Sequence, residues 1–180
     1  MAQFDTILHP DFVVPIVPRY EVLPAHSVGI KGDTISAVLP RAEALELEAS
    51  EHVDLAGCVL MPGLINSHCH AAMSLLRGYA DDLPLMTWLQ RYIWPTERQF
   101  ISSEFVLAGS ELAIADLILG GTTTLVDHYF FPEVTAEACE RAGLRALLTF
   151  PVIDVTTAWA RDTEECISRG LALRDRYRNH

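Results

Sequence analysis

His68 and His70 stand one residue apart at the end of the run Pro62-Gly63-Leu64-Ile65-Asn66-Ser67, and two imidazoles at that spacing can grip one cation. On a β-strand, side chains at i and i+2 share a face, with their roots roughly 6–7 Å apart. A neutral imidazole binds zinc at about 2.0–2.1 Å, and a catalytic site keeps a water in its open position. The pair is therefore half of a metal site. Cys69, between them, points to the opposite face and is not expected as a ligand. A lone His-x-His also arises by chance as two ordinary half-buried histidines, so its position carries the reading. Gly63 to Asn66 reads as a short buried strand and Ala71 to Gly78 as helix. Ligands at the C-terminal end of a parallel strand are where α/β barrels place their chemistry.

The elements that must hold this pair follow two grammars. Up to about residue 60 the punctuation is that of a small β unit, with strand-like Thr6 to Leu8 and Phe12 to Val17. Ser27 to Ile30 and Thr34 to Val38 flank Lys31-Gly32-Asp33 and predict a hairpin. Arg41 to Ala49 predicts a short helix, followed by strand-like Val53 to Leu55 and Val59 to Met61; the prolines at 10, 15, 18 and 24 fit edges and turns. From residue 62 the order becomes strand, helix, strand, helix. Phe105, Ala108, Leu112, Ala115 and Leu119 form an apolar stripe on a helix that begins near Ser102 or Ser103 and stops at Gly120-Gly121. Thr122 to Asp127 is a strand, Glu133 to Ala142 a helix closed by Gly143, and Arg145 to Phe150 another strand. Asp162, with Glu165 three residues on, caps a last helix running towards Tyr177.

Alternating β and α units imply a parallel sheet with right-handed crossovers. Three such strands do not close a (β/α)8 barrel, which needs about 250 residues, so the chain reads as truncated relative to one. A complete three-strand α/β domain would expose a long unpaired edge.

Half of the 180 residues are hydrophobic, enough for a sizeable core in one domain or one and a half. Formal net charge is −11, with one lysine, Lys31, among 13 basic residues, so the average surface repels polyanions and nucleic acid is not an expected partner. A small uncharged ligand held by a carboxylate fits better. No apolar run approaches the roughly 20 residues of a membrane span, and Met1-Ala2-Gln3-Phe4-Asp5 lacks the layout of a signal peptide, which predicts a cytoplasmic protein. Cys58, Cys69, Cys139 and Cys166 have neither zinc-ribbon spacing nor a disulfide framework and are expected as reduced core residues. Without a Cys-x-x-Cys, a redox role has no support.

The run Met61 to His70, continued by Ala71-Ala72-Met73-Ser74-Leu75-Leu76-Arg77-Gly78-Tyr79-Ala80-Asp81-Asp82-Leu83-Pro84-Leu85, resembles the amidohydrolase superfamily. Within it, the match is to the branch that holds the 5-methylthioadenosine/S-adenosylhomocysteine deaminases and the triazine hydrolases. Gly120-Gly121-Thr122-Thr123-Thr124 is similar to the family's second barrel strand, and the segment before the motif resembles its small β-sandwich. The resemblance covers nearly the whole chain. It implies a metal-dependent (β/α)8 TIM barrel, whose first part is residues 61–180, with a small N-terminal β-sandwich portion in residues 1–60.

The same resemblance implies His68 and His70 as two ligands of one divalent ion, zinc foremost, with iron or manganese as alternatives. Two more histidines, an aspartate and a proton-handling glutamate come from later strands in the family, so no catalytic acid or base is assigned within this chain. Trp88 and Glu97, in the segment Met86 to Glu97, fall where deaminases of this branch place substrate contacts. A carboxylate suits the paired hydroxyls of a ribose, and an indole offers a flat apolar wall with one N–H. Without the resemblance, Glu97 is a solvated residue after Pro95 and Trp88 a core aromatic beside Leu85 and Leu89. His128, in Asp127-His128-Tyr129 on the same rim, suits a rim contact or supporting role better than a third ligand. Arg161 can meet the far end of a substrate or simply be solvated, and His9, His26, His52 and His180 have no motif context.

The activity so implied is deamination of an adenosine derivative (5-methylthioadenosine, S-adenosylhomocysteine or adenosine), with a metal-activated hydroxide attacking C6 and ammonia leaving after protonation. Deamination of guanine or cytosine, or dechlorination of a triazine, is the nearest alternative. Glu97 discriminates, because those substrates carry no vicinal diol. A non-catalytic fragment that works by pairing with another polypeptide is the reading from a different class. The family resemblance implies a dimer or tetramer.

Overall fold

The computed structural model describes residues 3–178, so His180 lies outside the described residues. The chain divides into two compact units, Met1–Pro62 and Gly63–His180.

In the first unit one sheet contains β1 (Phe4–Val13), β2 (Leu23–Pro24), β3 (His26–Lys31), β4 (Thr34–Pro40) and β5 (Ala49–Leu60). β1 pairs antiparallel with β2 and β3 and parallel with β5, and β3 pairs with β4. The predicted hairpin forms, with Gly32 at φ 60°, a conformation that costs a residue without Cβ little. Asp5 fixes its corner by accepting from Lys31 Nζ at 2.9 Å and from the Gly32 N–H at 2.7 Å.

Two expectations for this unit need correction. The stretch from Phe4 to Val13 is one strand through Pro10, which sits where the ladder with β5 shifts register and so removes no needed donor. Val14 to Val17 lies outside it. The helix expected over Arg41 to Ala49 is one turn, α1 (Arg41–Ala44), because only Ala44 is buried, against Phe4 and Ile7, too little to extend a costly helix nucleus. Cys58 is exposed on β5, whereas Cys139 and Cys166 are buried as expected and Cys69 is half-buried.

β1 and β5 also bring together two histidines that have no motif. His9 Nδ1 lies 2.7 Å from Ser27 Oγ, and its Nε2 lies 2.9 Å from His52 Nδ1, so the buried ring is satisfied at both nitrogens. Burial, then His52 and Arg41, hold the His9 pKa below its usual value against a weaker pull from Asp54. A histidine depressed in the folded state binds protons more readily when unfolded. Its stabilising contribution is therefore complete above the ordinary histidine value and is lost as pH falls through it. The thermal midpoint of the intact protein is expected to drop between about pH 7.5 and about pH 5.5, and His52→Gln to make that drop shallower. A midpoint flat over that interval would contradict this linkage.

In the second unit β6 (Leu64–Cys69), β7 (Thr122–His128) and β8 (Arg145–Thr149) form a parallel sheet in that order. The crossovers carry α2 (Leu85–Trp88), a π turn over Leu89–Ile93, α3 (Trp94–Phe100), α4 (Ser103–Leu119) and α5 (Pro132–Ala142), and α6 (Thr163–Arg176) follows β8. Ser102 Oγ accepts from the Phe105 N–H at 3.1 Å, and Asp162 Oδ1 from the Glu165 N–H at 2.8 Å, so both predicted helix starts are capped. Ile114, Leu125, Ala138, Cys139 and Leu144 make the core between sheet and helices. Among the described residues, no helix is long and apolar enough to cross a membrane.

The apolar stripe expected on α4 is not its buried face. Val106, Gly109, Ser110, Ala113 and Ile114 are buried, while Leu112 and Leu119 are exposed. The helix is apolar around most of its circumference, so periodicity could not single out the inward side. Small residues decide it, because they let α4 approach the 3-10 turn Ala71–Leu76, which replaces the α-helix expected there. A Cβ built at Gly109 would lie 2.3 Å from the Ala72 carbonyl oxygen. Gly109→Ala is thus expected to destabilise the intact protein by roughly 1–3 kcal/mol despite a helix-propensity gain of about 1 kcal/mol. Urea unfolding checks it, and a stabilised variant would refute the close approach.

Candidate active site

His68 is the penultimate residue of β6, and His70 follows the strand directly, so both imidazoles stand at the C-terminal rim of the parallel sheet. Their rings meet edge to face with centroids 5.0 Å apart, and both residues are exposed. Asn66 Oδ1 accepts from the His68 N–H at 3.2 Å. His70 Nδ1 lies 2.7 Å from the His128 carbonyl oxygen. A carbonyl can only accept, so Nδ1 carries the proton and the Nε2 lone pair is left open, the arrangement that supports a metal-binding imidazole. Asp127 completes the clamp from β7: its Oδ1 accepts from the Ala71 N–H at 2.7 Å, fixing the backbone just after His70. Asp127 is buried, and burial raises its pKa against the Ala71 N–H and the His70 ring.

The His128 ring has a hydrogen-bond partner of its own. Its Nδ1 lies 2.7 Å from Thr149 Oγ1, whose own proton goes to the Asp127 carbonyl at 3.1 Å, so Nδ1 donates. The backbone carbonyl of His128 takes the His70 hydrogen bond, and its imidazole stands edge-on to the His70 ring with centroids 6.2 Å apart. Burial and the Asp127 charge push the Cys69 thiol up to about 11, so it stays protonated at neutral pH. Among the described residues no group of three or more His, Cys, Asp or Glu side chains is arranged to hold an ion.

Glu97 lies on α3, half-buried, and accepts from the hydroxyl of Tyr129, the residue after β7, at 2.7 Å. Burial raises the Glu97 pKa, opposed first by that hydroxyl and then by the charge of the His70 ring. Trp88 is half-buried at the end of α2. Arg161 is exposed, and Glu165 Oε2 accepts from its Nε at 2.8 Å and from its backbone N–H at 2.9 Å. These bonds, with Arg169, hold the Glu165 carboxyl down at about 2. The loop that carries Arg161 is pinned by buried Trp159, whose Nε1 donates to the Glu133 carboxylate at 3.2 Å.

The structure thus links Glu97 to His70 through Tyr129, whose hydroxyl bonds the carboxylate and whose ring lies 6.4 Å from the His70 ring, with His68 beside His70. Among the described residues, no hydrogen bond or ring contact ties Trp88 or Arg161 to them. Sequence reasoning does not single out Asp127 and Tyr129 as the residues that hold this neighbourhood together. The one available signal is the polar run Asp127-His128-Tyr129 at the end of an apolar strand.

This mixed α/β fold is similar to that of solved deaminase structures. An adenosine deaminase from Xanthomonas campestris, solved with bound zinc, superposes with a TM-score of 0.92 at 42% identity, covering 98% of this chain and 40% of that one. A 5-methylthioadenosine/S-adenosylhomocysteine deaminase from Teredinibacter turnerae is 48% identical over 177 residues, 98% of this chain and 40% of that protein. A 5'-deoxyadenosine deaminase from Methanococcoides burtonii is 42% identical over 151 residues, 84% of this chain and 34% of that protein. Residues 59–179 match the amidohydrolase family, and the chain belongs to it. It spans about 40% of the length of the first of these curated relatives.

Proposed function

We propose that the intact protein is a metal-dependent aminohydrolase that converts an adenosine derivative (5-methylthioadenosine, S-adenosylhomocysteine or adenosine) to the inosine analogue and ammonia. In this reading the chain supplies the first strands of a (β/α)8 barrel and a portion of a small N-terminal β-sandwich, in a cytoplasmic homo-oligomer. The names of its relatives support the reaction. The observation that carries the reading is the His68–His70 pair at 5.0 Å, with the His70 proton committed to a backbone carbonyl. A pair of imidazoles suits zinc, and iron or manganese also fit such a donor set. A divalent ion held there would bring the pKa of a bound water down to about 7.

The chain's own side chains bind and orient. Glu97 accepts the paired ribose hydroxyls and so aligns the purine with the histidine pair, turning encounter into alignment. Trp88 offers the ring a flat wall, and Arg161 exchanges Glu165 for the far end of the substrate. No residue of this chain is assigned as the acid that protonates the departing amine. Ammonia release by the intact protein from 5-methylthioadenosine, S-adenosylhomocysteine, adenosine, guanine and a chlorotriazine tests the assignment. Turnover confined to the adenosine derivatives is the expected result, and turnover of none of them rejects it.

A further inference from the structure

Tyr129 and Glu97 are 32 residues apart in sequence and come from different elements, yet the phenol donates to the carboxylate at 2.7 Å. The tyrosine is held rigidly. It is 4% exposed and packs in one cluster with Ala72 and Val106, and the Phe130 ring lies 5.3 Å away. We propose that Tyr129 is a positioning residue for substrate recognition, its hydroxyl fixing the Glu97 carboxylate in the orientation that receives the ribose diol. The proposal rests on the reading of Glu97 as the ribose contact.

The chemistry of the pair supports it. A carboxylate has about four acceptor sites, so one bond from Tyr129 leaves enough for both hydroxyls of a diol. A glutamate free to sample rotamers loses that freedom on binding, whereas one already held by a buried phenol has lost it beforehand. Tyrosine suits the task because its ring is wedged and only the hydroxyl remains to turn. Burial and the Glu97 charge raise the phenol's pKa, so it remains a donor. No other described side chain donates to Glu97, so the carboxylate's orientation depends on this one bond.

The test compares Tyr129→Phe, Glu97→Gln and the double variant of the intact, metal-loaded protein, with adenosine and 2',3'-dideoxyadenosine as substrates. Tyr129→Phe is expected to shrink the preference for adenosine, as a ratio of kcat/KM values, by roughly tenfold and mainly through KM. In the Glu97→Gln background the same change is expected to move the ratio by less than about twofold. Dissociation constants for inosine and 2',3'-dideoxyinosine, measured by calorimetry, are expected to repeat the pattern without turnover. If Tyr129→Phe lowers both substrates equally, or lowers metal content and thermal midpoint with the ratio unmoved, Tyr129 only pins α3 and the proposal is overturned. If Glu97→Gln alone leaves the ratio unchanged, the ribose reading itself fails. If Glu97→Gln collapses the ratio and Tyr129→Phe does not, the failure belongs to Tyr129 alone.

Discussion

Replacing His70 with alanine in the intact protein is expected to cut ammonia release from adenosine derivatives by roughly 10³-fold or more, and His68→Ala to do the same. The size follows from what a bound divalent ion contributes: several kcal/mol of charge stabilisation, at about 1.4 kcal/mol per factor of ten. Metal content, measured on the purified variants, is expected to fall in parallel. His70 is the more exposed to failure of its supports, because its ring is held by the His128 carbonyl and its backbone by Asp127. Loss of such outer partners typically costs about 10–100-fold in metal affinity, less than loss of the ligand itself. His128→Ala, which keeps the carbonyl, is therefore expected to retain the ion where His70→Ala does not. Ammonia release undiminished in either histidine-to-alanine variant would end the assignment of the pair.

What was legible in the sequence is what depends on near neighbours along the chain. The His-x-His pair announces itself because i and i+2 share a face of a strand, and the end of β6 with the residue after it brings both rings to one rim. Helix starts at Ser102 and Asp162, and the stop at Gly143 with φ 70°, are local capping chemistry and fall where expected. Where local pattern was degenerate, the reading failed. α4 is apolar on several sides, and its meetings with distant segments, Gly109 on Ala72, Ser110 on Thr135 and Ile114 on Leu125, decide which side turns inward. Contacts between distant segments were not legible at all. Nothing near position 97 points to Tyr129, and nothing near His9 points to Ser27 or His52; strand pairing and helix packing create both meetings. Arg161 shows the converse: its ion pair is local, with Glu165 four residues on in the first turn of the helix that Asp162 caps.

Glu97→Gln is expected to separate activity from stability. The carboxylate is half-buried, burial raises its pKa, and only the Tyr129 hydroxyl and the His70 ring oppose that rise. The direction fixes the sign. An acid whose folded-state pKa is raised binds protons more readily when folded, so folding loses stability as pH climbs from the ordinary glutamate value towards the raised one. At neutral pH the ionised side chain is thus a net burden on the fold. The neutral amide keeps an oxygen for Tyr129 and removes the buried charge, so the thermal midpoint of Glu97→Gln is expected to hold or rise. Activity moves the other way. Hydrogen bonds to a charged group contribute about 1.5–3 kcal/mol each, so weakening two of them is expected to lower kcat/KM for adenosine derivatives by roughly 10²–10³-fold. Stability given up for function is the signature of a residue kept for its chemistry. A midpoint that falls together with activity, equally for adenosine and 2',3'-dideoxyadenosine, would instead make Glu97 a structural acceptor for Tyr129.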